Sequence, residues 1–185
     1  MIESILNEYR DRAYLNARSK GFFTDNQDDA AYIVAIHEEL SEAFSDWNKH
    51  RGWLNLDPKP SGVYFELADA VIRVMSYCGY KGLTLHEVNI ETDRPYLKTD
   101  LCDMIAKCHL DIAQYYELLN REPRDEFEDE LQEICMQNLL SNFIARIEEF
   151  IDETAAEDDC TLQSLIDAKL IYNAARGLKH GGNEV

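Results

Sequence analysis

Two pairs of acidic residues at helical spacing are the strongest chemical signal in this sequence. Glu39 and Glu42 form a Glu-x-x-Glu motif, and Glu66 and Asp69 form a Glu-x-x-Asp motif further along the chain. Because residues three apart lie on one face of a helix, each motif presents two carboxylates side by side. Four carboxylates brought together would repel one another unless a cation lay between them. An all-oxygen ligand set favours Mg²⁺ or Mn²⁺, so we predict a divalent metal site.

Each motif borders an apolar stripe in a predicted helix. Residues 30–51 and residues 63–80 both carry apolar side chains at helical spacing. The inner residues that we predict for the two helices are Ile33, Ile36, Leu40, Ala43, Phe44 and Trp47, followed by Leu67, Val71, Val74, Met75 and Cys78. If the two stripes pack together, the carboxylate rows meet at the edge of the core. Solvated surface charge is the alternative, since a lone Glu-x-x-Glu is common on exposed helices.

The rest of the chain also predicts helices and no strands, which indicates a single all-α domain over residues 1–185. A first helix is expected at residues 2–20, with Ile5, Leu6, Tyr9, Ala13 and Leu15 facing inward. Residues 25–29 offer capping side chains for the helix that follows, and Thr84 predicts a short helical turn through Val88. A last helix is expected at residues 162–178, capped by Thr161.

Between these segments we predict a helical hairpin at about residues 97–155, with helices at 100–120 and 124–153 separated at Pro123. Residues 122–159 contain fourteen acidic and two basic side chains, which is typical of a solvated acidic face. The second helix still has an apolar side, made of Phe127, Leu131, Ile134, Leu139, Leu140, Phe143 and Ile147. The hairpin therefore either covers the core or contacts another subunit, and the sequence leaves both open.

Composition argues against several classes of partner. With 36 acidic and 18 basic residues, the net charge of −18 argues against binding nucleic acid or an anionic membrane surface. The chain has no apolar run of membrane-spanning length and no signal-like start, so we expect a soluble cytoplasmic protein. Its five cysteines lack Cys-x-x-Cys spacing and are expected to be reduced, mostly in the core. No Glu-x-x-His occurs, which excludes the usual di-iron helical bundle signature.

Basic and amide side chains gather in the last predicted helix of this acidic chain. Lys169, Asn173 and Arg176 follow one another at helical spacing, and Lys179 precedes His180-Gly181-Gly182. Such residues complement the dipole at a helix C-terminus, which is the structural explanation. Beside a metal site, a cationic edge could instead hold phosphate oxygens.

Together the motifs resemble the MazG-type all-α nucleoside triphosphate pyrophosphohydrolases, in their compact, phage-like branch. The resemblance is carried by the run from His37 to Glu42, the run from Phe65 to Val74, and the Lys-x-x-x-Asn-x-x-Arg…His-Gly-Gly ending. It implies a helical bundle in which the hairpin is an insertion, since about 75 residues separate the second helix region from the ending. It also implies Mg²⁺-dependent cleavage of a nucleoside triphosphate to the monophosphate and pyrophosphate, by a homodimer or a dimer of dimers.

The resemblance assigns roles residue by residue. The implied metal ligands are Glu39, Glu42, Glu66 and Asp69. The implied phosphate or sugar contacts are Lys169, Tyr172, Asn173, Arg176 and Lys179. Glu38 is the nearest carboxylate outside the ligand set and is our candidate general base, while Trp47 or Trp53 could stack on a base. An all-α dUTPase-like enzyme and a non-catalytic acidic partner-binding protein stay open as alternatives. Removal of noncanonical nucleotides is suggested by analogy alone.

Overall fold

The computed structural model describes residues 1–23, 28–56, 59–90 and 94–175. Within these residues the chain forms α helices, two short 3₁₀ turns and one isolated bridge between Asn55 and Ser61, so the predicted all-α class is confirmed. The helices are α1 (Glu3–Ser19), α2 (Asp29–Asn48), α3 (Val63–Lys81), α4 (Leu101–Leu119), α5 (Glu126–Thr154) and α6 (Leu162–Ala175). The 3₁₀ turns are Lys98–Asp100, before α4, and Ala156–Asp158, after α5.

Local capping sets the ends of these helices where the sequence predicts it. The Asp28 carboxylate accepts a hydrogen bond from the Ala30 amide at 3.2 Å and starts α2. Thr161 Oγ1 accepts from the amide of Ser164 at 3.3 Å and starts α6. Gly82, with φ of +70°, ends α3 in the left-handed conformation that glycine adopts without strain. The predicted continuation of the last helix beyond residue 175 lies outside the described residues.

Helix α3 is the centre of the fold. It contacts α1, α2, α5 and α6, and its side chains are buried on every side from Val63 to Val71 except Asp69. Residues that are apolar all round a helix favour such a central position, whereas we predicted only a one-sided stripe. Buried apolar side chains from all six of the described helices form one continuous core cluster around it.

The predicted hairpin contributes largely to this core. Helix α4 packs against α5 and α2, and α5 also contacts α3 and α6. Of the two roles left open for the hairpin, α4 and the second half of α5 therefore cover the core. The first half of α5 extends away from the core, and there Phe127 is 74% exposed, with Leu131 and Ile134 also exposed. Whether the hairpin is an insertion relative to a family stays a prediction.

Some local predictions were wrong. Leu15 is 61% exposed because the inward positions of α1 are taken by Leu6, Tyr9 and Ala13. The turn predicted from Thr84 is not helical. There the Asn7 side chain accepts from the Leu85 amide at 3.1 Å and donates to the Leu85 carbonyl at 2.8 Å, replacing the hydrogen bonds of a helical turn.

Surface exposure also corrects the predicted inner residues and the cysteines. Phe44, predicted to face inward on α2, is exposed. All five cysteines are free, as expected, but Cys102 and Cys135 are exposed and lie outside the core. Among the described residues, no helix combines the length and the apolar character needed to cross a membrane.

Candidate metal centre

Three of the four predicted carboxylates converge where α2 meets α3. Glu39 and Glu42 on α2 and Glu66 on α3 each offer a carboxylate oxygen, and these atoms all lie within 4.8 Å of one another. Glu39 and Glu66 are only 8% exposed, whereas Glu42 is exposed. The two motifs therefore meet as their helical spacing predicts. The cluster lies half inside the protein, with one side open to solvent.

The positions of the carboxylates follow from the helices that carry them. Ile36, Leu40 and Ala43 are fully buried against α3, which turns Glu39 and Glu42 toward the border of the α2–α3 contact. Glu66 lies in the first turn of α3, where the positive end of the helix dipole favours a carboxylate.

Asp69, the fourth predicted ligand, has a different partner. Lys169 on α6 is 3% exposed, and its ammonium group donates a hydrogen bond to Asp69 and lies 5.5 Å from the centre of the Phe65 ring. This ion pair ties α6 to α3. Asp69 lines the same cleft as the other carboxylates but lies outside the set of three, so its role as a ligand stays a prediction.

A second cation, Arg73, contacts the cluster through Glu39. Arg73 lies one helical turn after Asp69 and donates to Glu39 Oε1 from Nη2 at 2.9 Å and from Nε at 3.0 Å. The pair is partly exposed on the arginine side, so solvent weakens its attraction. Arg73 therefore offsets part of the negative charge without removing the clustering of three carboxylates.

Burial makes the cluster electrostatically costly. The pKa of Glu39 rises from 4.5 to about 7, chiefly because burial disfavours the charged form, with Asp69 and Glu42 adding repulsion against the lowering effect of Arg73. The pKa of Glu66 also rises from 4.5 to about 7, first through burial and then through repulsion by neighbouring carboxylates. A divalent cation would relieve this cost, and carboxylate oxygens are the donors that Mg²⁺ and Mn²⁺ prefer. The residues present therefore fit such an ion.

A cleft of about 240 Å³ opens beside the carboxylates and runs between α1, α2, α3 and α6. At one end it is acidic, since Glu39, Glu42, Glu66 and Asp69 line it. The rest of its wall combines apolar and polar side chains, which include Asn16, Lys20, Phe22, Phe23, Tyr32, Lys59, Ile72, Arg73, Ser76 and Asn173. The cleft thus joins an acidic end to an amphipathic interior, and we call it the aromatic cleft.

Aromatic packing fixes the wall of this cleft. Phe23 stacks on Tyr32 and on Tyr80, with ring centres 4.6 Å and 5.0 Å apart. Phe23 holds a positive φ of 62°, which costs free energy for a residue with a side chain and is offset here by the two stacked rings. Phe22, its neighbour, lies under the Arg73 guanidinium at 5.7 Å from ring centre to Cζ. The wall beside the carboxylates therefore presents a rigid apolar surface.

Other residues predicted for the site have mixed positions. Asn173 lines the aromatic cleft, and Tyr172 is half-buried on α6. Glu38 is exposed on α2 and is not among the described residues that line the cleft. Arg176 and Lys179 lie outside the described residues.

The two tryptophans lie elsewhere. Trp47 and Trp53 line a separate pocket of about 220 Å³ with His50, and none of the four predicted carboxylates lines it. The Trp53 ring packs on Tyr64 at 5.2 Å between centres, and the Lys98 ammonium lies 5.4 Å from its ring centre. Stacking on a base in the aromatic cleft would therefore fall to other aromatic residues.

Several lining residues were given no role from the sequence. Arg73 has a usable signal, since it follows Asp69 by four residues and continues the row of Glu66 and Asp69 along one helical face. Asn16, Lys20 and Phe22 had none, because they reach the cleft only through the packing of α1 against α3. Gly79 permits the close approach of those helices, since an added Cβ there would lie 2.6 Å from Tyr14 Cβ.

Comparisons of the chain with protein-family models, with curated proteins and with solved structures find no match. The family resemblance of the motifs therefore stays a prediction. The case for a function depends on the geometry of the carboxylates and of the cleft beside them.

Proposed function

We propose that this protein is a metal-dependent nucleoside triphosphate pyrophosphohydrolase of the MazG-like kind. The observation that carries the proposal is the convergence of Glu39, Glu42 and Glu66 at one end of a cleft whose interior is aromatic and amphipathic. A nucleoside triphosphate has the same two-part character, with a planar base and a polyanionic chain that needs a cation. Ribonucleotides and deoxyribonucleotides are both candidate substrates.

The proposed reaction adds water to the α phosphorus and breaks the bond between that phosphorus and the oxygen that bridges to the β phosphate. The water oxygen remains on the monophosphate, pyrophosphate leaves, and one proton is released. Mg²⁺, or Mn²⁺ in its place, would supply charge neutralisation of the phosphate oxygens and activation of the attacking water. Glu39, Glu42 and Glu66 are the residues that would hold the ion, and Asp69 is the proposed fourth ligand.

The aromatic cleft supports binding of the nucleoside part. Phe22 and Ile72 provide apolar surface, and Asn16, Ser76 and Asn173 provide hydrogen-bonding groups along the same wall. Aromatic surface with a few polar groups is typical of small-molecule sites and favours a base and its sugar. We therefore propose that the base contacts Phe22, in place of the tryptophans that the sequence suggested.

Lys169 and Glu38 have less support in their predicted roles. The Lys169 ammonium is paired with Asp69, so we propose that it acts on substrate through the position of that carboxylate. Glu38 as the general base stays a prediction, and its exposed position beside the cluster adds no argument for it. Tyr172, Arg176 and Lys179 stay predicted substrate contacts.

An exposed apolar surface on α5 is relevant both to self-association and to the alternative of a non-catalytic binding protein. The exposed apolar residues Phe127, Leu131 and Ile134 on the first half of α5 offer a surface for another protein. This surface is compatible with the proposed homodimer or dimer of dimers, and equally with a non-catalytic acidic partner-binding protein. Light scattering of the purified protein would measure the assembly. A dUTPase-like enzyme shares the proposed chemistry and differs only in substrate.

The test is a panel of canonical and modified ribonucleoside and deoxyribonucleoside triphosphates, incubated with Mg²⁺ or with EDTA and resolved by chromatography. We expect monophosphate and pyrophosphate in Mg²⁺ only, and a preference for dUTP would favour the dUTPase-like alternative. Diphosphate with inorganic phosphate would exclude cleavage between the α and β phosphates. No turnover of any triphosphate would favour the binding protein.

A matched pair of variants connects any activity to the cluster. We expect Glu42→Gln to lower turnover by about a hundredfold or more, since a ligand to the ion is lost. Glu130→Gln removes the same charge from an exposed position on α5 and should leave turnover unchanged. Full activity in Glu42→Gln would show that the site is assigned to the wrong residues.

A further inference from the structure

A second cleft, of about 550 Å³, opens on the other side of the carboxylates. It lies between the C-terminal half of α2 and the connection from α2 to α3. Glu42, Glu66 and Lys59 line both this cleft and the aromatic cleft, so the two are continuous at the candidate metal centre. Its other lining residues are Ser45, Asp46, Lys49, Arg51, Asn55, Ser61 and Gly62. We call it the basic cleft, since three cations line it.

The connection that carries these cations is anchored. The backbones of Asn55 and Ser61 exchange two hydrogen bonds of 2.9 Å, which close the loop on itself. Gly62 holds a φ of +102°, and a Cβ there would lie 3.0 Å from the carbonyl oxygens of Gly52 and Trp53. The loop can therefore follow this path only with glycine at that position. The anchored loop places Lys59 at a defined edge of the basic cleft.

Side chains rather than backbone amides must bind any anion here. The amides of Val63 and Tyr64, in the first turn of α3, donate to the Gly52 and Trp53 carbonyl oxygens at 3.2 Å and 3.0 Å. The N-terminus of α3 thus has these donors already in use. Lys49, Arg51 and Lys59 are exposed and line the cleft together with Ser45 and Ser61, whose side chains carry hydroxyl groups.

The charges of the basic cleft favour an anion once a metal ion is bound. Asp46 is paired with Arg51 at 3.1 Å, which leaves Glu42 and Glu66 as the other carboxylates of the lining. Those two belong to the proposed ligand set, so a divalent cation would neutralise them. Lys49 and Lys59 then give the cleft a positive charge in a chain whose net charge is −18.

We infer that the basic cleft is the subsite for the pyrophosphate part of the substrate, the β and γ phosphates, with Lys49 and Lys59 as its specific ligands. The inference rests on the proposed function and assigns a direction to the substrate across the metal centre. The nucleoside lies in the aromatic cleft, the α phosphate lies at the carboxylates, and the leaving pyrophosphate lies against the α2–α3 connection. A diphosphate group matches two lysines on one wall, because each ammonium can donate to different phosphate oxygens.

The test measures binding of imidodiphosphate, a non-hydrolysable pyrophosphate mimic, by calorimetry in the presence of Mg²⁺. Wild type, Lys49→Gln and Lys49→Gln/Lys59→Gln are compared, with Lys107→Gln as the matched control. Lys107 is a surface lysine of α4 paired with Asp103, so its variant makes the same change in net charge away from the cleft. We expect affinity to fall about tenfold for each cleft lysine removed, since each contributes charge-assisted hydrogen bonds. Lys107→Gln should bind like wild type.

Binding of a nucleoside monophosphate to Lys49→Gln provides the second measurement. Lys49 lines only the basic cleft, so monophosphate affinity should match wild type if the substrate lies in the proposed direction. Equal loss for both ligands would overturn the assignment of direction. Wild-type affinity for imidodiphosphate in the double variant, or no binding to wild type, would overturn the subsite itself.

These outcomes are separable from the proposed function. If imidodiphosphate binds through Lys49 and Lys59 but no triphosphate is hydrolysed, the subsite stands and the enzymatic proposal fails. If triphosphates yield monophosphate and pyrophosphate while the double variant binds imidodiphosphate normally, the enzymatic proposal stands and the subsite is refuted. Circular dichroism of the variants would verify that the fold is intact, as expected for exposed side chains.

Discussion

Replacing Glu66 by glutamine should stabilise the metal-free protein at neutral and alkaline pH. In the folded protein the pKa of Glu66 rises from 4.5 to about 7, chiefly through burial. The folded state therefore holds this proton more tightly than the unfolded chain. The contribution of Glu66 to stability is therefore highest at low pH, falls as pH rises through the interval from 4.5 to about 7, and levels off above it. Glutamine resembles the protonated carboxyl group and removes this loss.

The expected magnitude follows from the size of the shift. A pKa that moves from 4.5 to about 7 corresponds to about 3 kcal/mol in a fully insulated site. Because the cluster is open to solvent on the side of Glu42, which screens the repulsion, we expect about 2 kcal/mol at about pH 8. At about pH 4, below both pKa values, the free energies of unfolding of Glu66→Gln and wild type should nearly coincide.

The measurement is urea-induced unfolding followed by circular dichroism across this pH range, with EDTA present to remove metal. Glu38→Gln is the matched control, because it removes the same charge from an exposed position on α2. Its free energy of unfolding should follow that of wild type at every pH. If Glu66→Gln were less stable than wild type at about pH 8, burial of a repelled carboxylate would be refuted as the cause of the pKa shift.

Three further predictions concern the packing around the site. The Nδ1 atoms of His37 and His109 lie 2.6 Å apart, within hydrogen-bond distance, and burial lowers the pKa of both rings. Since the folded state then binds fewer protons than the unfolded chain, the contribution of this pair to stability should fall as pH drops below 6.5. In the same unfolding assay, His37→Gln should therefore lose less stability than wild type between about pH 7 and pH 5. An equal loss in both proteins would exclude the histidine pair as the cause. Lys169→Met should lower the free energy of unfolding by about 3 kcal/mol, because it leaves Asp69 charged beside other carboxylates. Adding Asp69→Asn should recover most of this loss in denaturant unfolding. A double variant as unstable as Lys169→Met alone would contradict this. Gly79→Ala should lower the free energy of unfolding by about 2 kcal/mol, since its methyl group would lie 2.6 Å from Tyr14 Cβ on α1. An unchanged melting curve would instead show that α1 and α3 can move apart at little cost.

Local spacing made the helices and the carboxylate cluster predictable. Three-residue spacing puts Glu39 and Glu42 on one face of a helix whatever lies around them, and apolar stripes favour packing of that helix on the next. Capping by Asp28 and Thr161 also depends only on neighbouring residues. These features therefore needed no knowledge of tertiary structure.

Features that depend on distant packing were not predictable. Phe22 and Lys20 reach the cleft because α1 packs closely on α3, and nothing in their spacing indicates it. Lys169 was predicted to contact substrate, yet its depth in the protein makes an ion pair with Asp69 its main contact. The turn expected after Thr84 failed because Asn7, nearly eighty residues away, binds the backbone there.

The basic cleft combines both kinds of information. Lys49 and Arg51 follow α2 directly, so their clustering was visible in the sequence beside the tryptophans. Their position relative to Glu42 and Glu66 depends on the path of the loop through Gly62, which only the structure provides. Spacing along one helix is thus far more informative than spacing across a loop.

Titration of the protein with Mn²⁺, followed by electron paramagnetic resonance of the free ion, tests the central claim most directly, since it needs no substrate. We predict that wild type removes the free Mn²⁺ signal, that Mg²⁺ restores it by competition, and that Glu66→Gln binds far less while Glu130→Gln binds as wild type does. A free-ion signal unaffected by wild-type protein, or equal binding by Glu66→Gln, would contradict a metal centre at Glu39, Glu42 and Glu66.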